Sequence, residues 1–289
     1  MVRLSHAYQE TLGQHDLNAA QILLTLDDSE DRRRYLNARS TISMLLEVGA
    51  IPLINENDTV ATAEIRFGDN DRLAARVAAM IGADLLILLS DVDGLYTGNP
   101  NQNNDAAHLP QIDQITDDIM AMAGTANAQF ASGGMVTKLE AARISTAAGC
   151  HMIICDGRDP EPFFRLENGA RCTCFIATET PHAARKQWIA GALTPRGTIG
   201  VDAGAAEALR NGKSLLPAGV VAIDGQFDRG DLVAVEDQSG RIIGHGLSSY
   251  SATDATKIKG HKSREIETML GYRGRDEMIH ADNLVISDT

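Results

Sequence analysis

Two acidic-amide clusters, Asn55-Glu56-Asn57-Asp58 and Gly68-Asp69-Asn70-Asp71, carry the residue types best suited to chemistry in this chain. Aspartates there can hold an ammonium group or act around a metal, and amides fix orientation because they both donate and accept hydrogen bonds. Each cluster adjoins an apolar segment: Gly49-Ala50-Ile51-Pro52-Leu53-Ile54 runs into the first, and a Leu/Ala-rich helical pattern from Leu73 follows the second. Two more polar turns are placed alike. Ser90-Asp91-Val92-Asp93-Gly94 follows the run from Asp84 to Leu89, and Ser132-Gly133-Gly134-Met135-Val136-Thr137-Lys138 opens a helical stretch. Paired glycines entering a helix let backbone N–H groups approach an anion, which the helix dipole also favours. Lys138, one turn in, can place an ammonium on a phosphate. Singly, each turn has a plainer reading: a polar loop with Asp71 as N-cap, an Asp93-Gly94 hairpin turn, an ordinary loop-to-helix entry. Together, at strand ends of one sheet, they point to a site for a phosphate-bearing ligand.

The elements that must position these turns alternate over the first two-thirds of the chain. Ala19 to Leu24 reads as a strand, 29–48 as a helix, Ile51 to Ile54 as a strand and Leu73 to Ile81 as a helix. Asp84 to Leu89 reads as a strongly buried strand, Thr137 to Ala148 as a helix and His151 to Cys155 as a strand. This rhythm predicts an α/β fold, a parallel sheet covered by helices. The chain opens on a helical spacing over residues 2–12 with no strand before it. The rhythm changes near Thr178. Residues 181–195, with Pro181 and Pro195, look like a linker between a domain over 1–180 and a small β-rich domain over 196–280.

At 289 residues, 44% hydrophobic and 22% charged, the composition is that of a globular protein of about two domains. No run is long enough to cross a bilayer and no secretory signal opens the chain, so the expected location is the cytoplasm. Four cysteines without a CxxC pair read as reduced thiols, and no metal site is expected from them. The net charge of −13 argues against non-specific nucleic-acid binding. Gly212-Lys213-Ser214 imitates the end of a P-loop, but the required earlier glycine position holds Glu207. No GxGxxG follows a strand. Arg32-Arg33-Arg34 reads as a solvated helix face or a subunit contact.

The four motifs in order, with Leu36-Asn37-Ala38-Arg39, Ala61-Thr62-Ala63-Glu64-Ile65 and Gly94-Leu95-Tyr96-Thr97, resemble the amino acid kinase family. The tail, with Gly212 to Gly219 and Phe227-Asp228-Arg229-Gly230-Asp231, resembles the PUA domain appended to some members. The resemblance is nearest to members that phosphorylate the γ-carboxylate of L-glutamate with ATP, the first step of proline biosynthesis. It implies that Asn55, Asp58, Asp69 and Asn70 line the glutamate pocket. It implies that Ser90, Asp91 and the loop Ser132, Gly133, Gly134, Met135, Val136, Thr137, Lys138 bind ATP. Lys138 would neutralise transition-state charge, Asp71 would orient a partner lysine, and Mg2+ would accompany ATP. Homo-oligomeric assembly and feedback inhibition by proline are implied as well.

Two departures stand out. Asn99-Pro100 replaces the Asp-Pro usual after Gly-Leu-Tyr-Thr. The family also begins with a strand bearing a lysine and a small hydroxyl residue, then a Ser-Ser-Gly-Ala turn, and neither is found here. The expectation is therefore a member lacking its first portion, with the lysine for Asp71 in that portion and little turnover on its own. Competing readings are another amino acid kinase, or a non-catalytic RNA-binding PUA protein. The mixed charges of the tail, from Lys257 and Arg264 to Glu265 and Glu267, disfavour the latter.

Overall fold

Contacts divide the chain into two units, Met1–Pro181 and His182–Thr289. The structure is a computed structural model that describes residues 2–57, 70–98, 105–123, 134–158, 160–191 and 194–287.

The first unit runs α1 (Val2–Gly13), β1 (Asn18–Leu24), α2 (Leu26–Glu30), α3 (Arg32–Glu47), β2 (Ala50–Glu56) and α4 (Asn70–Ile81). It continues with β3 (Leu85–Ser90), β4 (Leu95–Tyr96), β5 (His108–Leu109), β6 (Gln111–Ile112), α5 (Asp117–Met122) and α6 (Met135–Ala147). It closes with β7 (His151–Asp156), α7 (Pro162–Glu167) and β8 (Cys172–Phe175). The single helix expected over 29–48 is two helices. Asp31 has extended backbone (φ −72°, ψ 121°), which stops α2, and its carboxylate accepts from the Arg34 amide at 2.8 Å, which starts α3. Thr25 opens α2, donating from its amide and its hydroxyl to Asp28 at 2.7 Å each. In the triple-arginine run Arg34 is exposed beside Asp27, while Arg32 is half-buried, so the run is not uniformly a solvated face.

β1 and β2 pair in parallel, and a four-stranded sheet has the order β3-β7-β8-β6. β3 is parallel to β7 and β6 to β8, but β7 and β8 are antiparallel, so the sheet is not wholly parallel as expected. The six-residue α7 spans only about 9 Å, too short to carry the chain back along a strand of roughly 20 Å. β3 is also less buried than its composition predicts. Among the described residues it is a sheet edge, and Leu85 and Leu89 are 44% and 48% exposed while Leu88 faces the core.

The core of this unit joins Leu88, Leu95, Leu139, Met152, Ile154 and Phe175. Each such side chain contributes about 1.5–3 kcal/mol on burial. Ala75 of α4 and Ala141 and Ala142 of α6 belong to the same core and are fully buried. Small residues at a helix contact allow close approach of the axes.

The second unit opens on α8 (Pro181–Gly191), so the segment expected to be a linker is largely a helix, entered at a proline. β9 (Gly197–Val201), α9 (Ala203–Arg210), β10 (Val220–Gly225), β11 (Leu232–Glu236), β12 (Ile242–Leu247), α10 (Ala252–Ile258), α11 (Ile266–Leu270) and β13 (Leu284–Ile286) follow. Five strands form one mixed sheet, β10-β9-β11-β12-β13, over a core that includes Ile199, Val233, Val235, Ile258 and Ile279. Gly212 follows α9 at φ +73°, a helix-ending conformation, which accounts for the P-loop imitation.

Candidate functional site

α6 lies between the parallel neighbours β3 and β7 in sequence, so its N-terminus sits at the carboxyl ends of those strands. α4 lies between β2 and β3 in sequence and packs against both strands and against α6. Crevices outside the carboxyl ends of strands are where open α/β sheets bind ligands.

The two helix starts meet there. Lys138 Nζ donates to Asp71 Oδ2 at 2.9 Å, with side chains 9% and 17% exposed. Thr137 Oγ1 lies 3.3 Å from the same oxygen and donates to Gly134 O at 2.7 Å. The close packing of α4 on α6 at their alanines brings these groups into contact. At the next residue of α4, Arg72 Nε donates to Glu140 of α6 at 2.5 Å. Gly134 caps α6 without a side chain, and its carbonyl accepts from the Thr137 amide at 3.1 Å. Among the described residues the ammonium beside Asp71 is that of Lys138.

The remaining predicted residues fall as follows. Asn55, half-buried near the end of β2, donates to Glu56 O at 3.3 Å. Asn70 is exposed at the first position of α4. No hydrogen bond joins Asn55 to Asn70 among the described residues. Ser90 ends β3, its hydroxyl donating to Asp91 Oδ1 at 3.1 Å and its carbonyl accepting from Gly157 N at 2.8 Å. Met135 and Val136 form the first turn of α6. Asp58, Asp69, Ser132, Gly133 and Asn99 lie outside the described residues.

The structure adds a charged rim that sequence reasoning missed. Asp156, at the end of β7 opposite Ser90, takes a bifurcated contact from Arg158 Nε at 2.9 and 3.2 Å. The Arg158 guanidinium holds the Asp156 carboxyl down at about 2. Arg171 reaches Asp93 at 3.5 Å and donates to Tyr96 Oη at 3.0 Å, while Tyr96 donates to Asp93 at 2.9 Å. The signal was there: Cys155-Asp156-Gly157-Arg158 is a third polar turn directly after an apolar strand.

Cys172 and Cys174 share a strand face with sulfurs 3.9 Å apart, and all four cysteines are free thiols. Burial pushes the Cys172 and Cys150 thiols up to about 11. Among the described residues no three carboxylate, histidine or cysteine side chains converge as metal ligands. No helix there is long and apolar enough to cross a membrane.

The model of the amino acid kinase family matches residues 1–156, and that of the PUA domain matches residues 197–270. A glutamate 5-kinase of Paramagnetospirillum magneticum is 58% identical over 285 residues, 99% of this chain and 77% of that protein. A glutamate 5-kinase of Agrobacterium fabrum is 58% identical over 286 residues, 99% of this chain and 74% of that protein. Among solved structures, carbamate kinase from Giardia lamblia bound to AMP-PNP aligns with a TM-score of 0.42 at 19% identity, covering 60% of this chain and 67% of that one. The chain belongs to the amino acid kinase family, with a PUA domain after the kinase unit.

Proposed function

We propose that the chain transfers the γ-phosphoryl group of ATP to the γ-carboxylate of L-glutamate, giving γ-glutamyl phosphate and ADP, the first step of proline biosynthesis. The relatives named above support the substrate pair. The single structural observation that carries the reading is the buried Asp71–Lys138 pair. It joins the helix after the glutamate-side cluster to the helix after the phosphate-side glycines.

The nucleophile needs no base, because a glutamate carboxylate has a pKa of about 4.3 and is already ionised at neutral pH. One of its oxygens attacks the γ-phosphorus, the bond to the bridging oxygen breaks, and ADP leaves. The obstacle is repulsion between two anions, so catalysis consists of positioning and neutralisation. An ammonium has three N–H donors. Asp71 takes one from Lys138 and so aims the others at the transferring phosphoryl group. The N-terminus of α6 adds backbone donors. Asn55, Asp58, Asp69 and Asn70 are assigned to glutamate, and Ser90 and Asp91 to the nucleotide. Magnesium is assigned to the triphosphate, its usual carrier in kinase sites. Homo-oligomeric assembly and inhibition by proline belong to the same reading.

Trapping of the acyl phosphate with hydroxylamine tests the reaction, in this chain and in a version extended upstream with the corresponding segment of the Paramagnetospirillum magneticum relative. Hydroxamate that requires both ATP and glutamate is expected, and its absence from both proteins overturns the proposal. Proline added to the same assay, and light scattering on the purified protein, check the two accessory expectations.

A further inference from the structure

The turn that carries Ser90 and Asp91 continues into β4 and β5, a ribbon only two residue pairs long, Leu95 with Leu109 and Tyr96 with His108. A ribbon of that size does not hold its own shape in water. Thr173 on β8 is what fixes it. Its hydroxyl accepts from Leu95 N at 2.7 Å and donates to Leu109 O at 2.7 Å. Leu95 and Leu109 are strand partners, so one oxygen ties both strands of the ribbon to the four-stranded sheet. His108 Nε2 lies 3.5 Å from the same hydroxyl.

Burial on β8 alternates, with Thr173 and Phe175 fully buried and Cys172 and Cys174 partly so. Thr173 thus occupies a core-facing position that an aliphatic residue would fill if packing alone mattered. Gly94 is shaped by the same contact. Its φ of +147° favours glycine, and a Cβ there would lie 2.5 Å from Thr173 Oγ1 and 2.7 Å from His108 Nε2. The turn 91–94 is therefore held at both ends. Gly157 N holds Ser90 O at its start, and Thr173 Oγ1 holds Leu95 N at its finish.

We infer that Thr173 is a positioning residue for nucleotide binding, acting through the turn 91–94 and touching no substrate. The inference rests on the assignment of Ser90 and Asp91 to the nucleotide. Thr173→Val keeps the shape and removes the hydroxyl, leaving a buried donor and a buried acceptor unpaired. Thr173→Ser keeps the hydroxyl.

The test combines hydrogen exchange over 91–97 with equilibrium binding of a fluorescent ATP analogue in the presence of magnesium, on the chain as it stands. For Thr173→Val, exchange at the Leu95 amide is expected to accelerate while the core strand β7 stays protected. Nucleotide affinity is expected to fall by about tenfold, the equivalent of about 1.4 kcal/mol. Thr173→Ser should restore both readouts most of the way. Unchanged exchange over 91–97 overturns the clamp. Accelerated exchange with unchanged affinity overturns the positioning role and leaves Thr173 as a purely structural residue. Asp91→Asn separates the two levels. If it leaves affinity unchanged, or the parent chain binds no analogue, the assignment of the turn to the nucleotide fails, and the inference fails with it. If Asp91→Asn weakens binding and Thr173→Val does not, the inference alone fails.

Discussion

Asp71 and Lys138 stand 67 positions apart in sequence and 2.9 Å apart in the structure, one in the first turn of α4 and the other in the first turn of α6. A pair this buried gains little net stability from being charged, yet losing one partner strands the other. Lys138→Met is expected to lower kcat by about 10²–10³-fold, the usual effect of deleting one transition-state donor. It should also cost about 3–5 kcal/mol of stability by leaving Asp71 without its ammonium. The double variant Asp71→Asn/Lys138→Met should recover much of the stability in urea melts and none of the activity. Recovery of both would show that Lys138 is only structural.

Arg72 and Glu140 bridge the same two helices, but their side chains are 41% and 34% exposed. Solvent screens such a pair, so Glu140→Gln should cost no more than about 1 kcal/mol and leave kinetics unchanged. Comparing its melting temperature with that of Lys138→Met isolates the effect of burial in one helix contact.

His108 offers a pH test of the ribbon. Burial, and then the Arg171 charge, lower its pKa below the ordinary 6.5, and Asp93 opposes them. The folded chain thus binds this proton less well than the unfolded chain. Its contribution is complete above the unfolded value of 6.5 and is lost as pH falls through the lower folded value. Protection factors over 91–97, exchange rates divided into the intrinsic rate at each pH, should fall on acidification below 6.5, and His108→Gln should flatten that dependence. An unchanged slope in the variant would assign the effect elsewhere.

Tyr250 tests the second unit by itself. Its hydroxyl donates to the Arg275 carbonyl, and its ring fills the space where a Cβ on Gly274 would stand. Burial pushes the phenol up to about 12. Tyr250→Phe should destabilise this unit by about 1 kcal/mol. Gly274→Ala should do more, since the added atom meets the ring. Calorimetry on both variants checks the order.

In the first unit β1, β2, β3, β7, α1, α4 and α6 were legible because their apolar periods are long and bounded by polar turns, whereas the short β4, β5, β6, α5 and α7 were not. The break at Asp31 was not, since Asp27-Asp28-Ser29-Glu30-Asp31 suits one helix start as well as two. The exposure of Leu85 and Leu89 was also hidden, because a leucine run reads as buried whatever covers it. Site residues at strand ends were visible as polar clusters. Thr173 was not, because a lone threonine between two cysteines has no pattern; its meaning comes from Leu95 and Leu109, which the fold brings to it. In the second unit β9 to β12 were visible, whereas β13 lies beyond the predicted domain end at 280, and α9 and α10 were short enough to be lost among glycine turns.

The contact between Gly94 and the Thr173 hydroxyl has an evolutionary consequence. A side chain at 94 would collide with the oxygen that secures the ribbon, and a residue without a hydroxyl at 173 would leave Leu95 and Leu109 untied. Neither site can drift alone. Across descendants of this sequence the two positions should be retained together or replaced together, with any replacement accompanied by a rebuilt turn between Ser90 and Leu95.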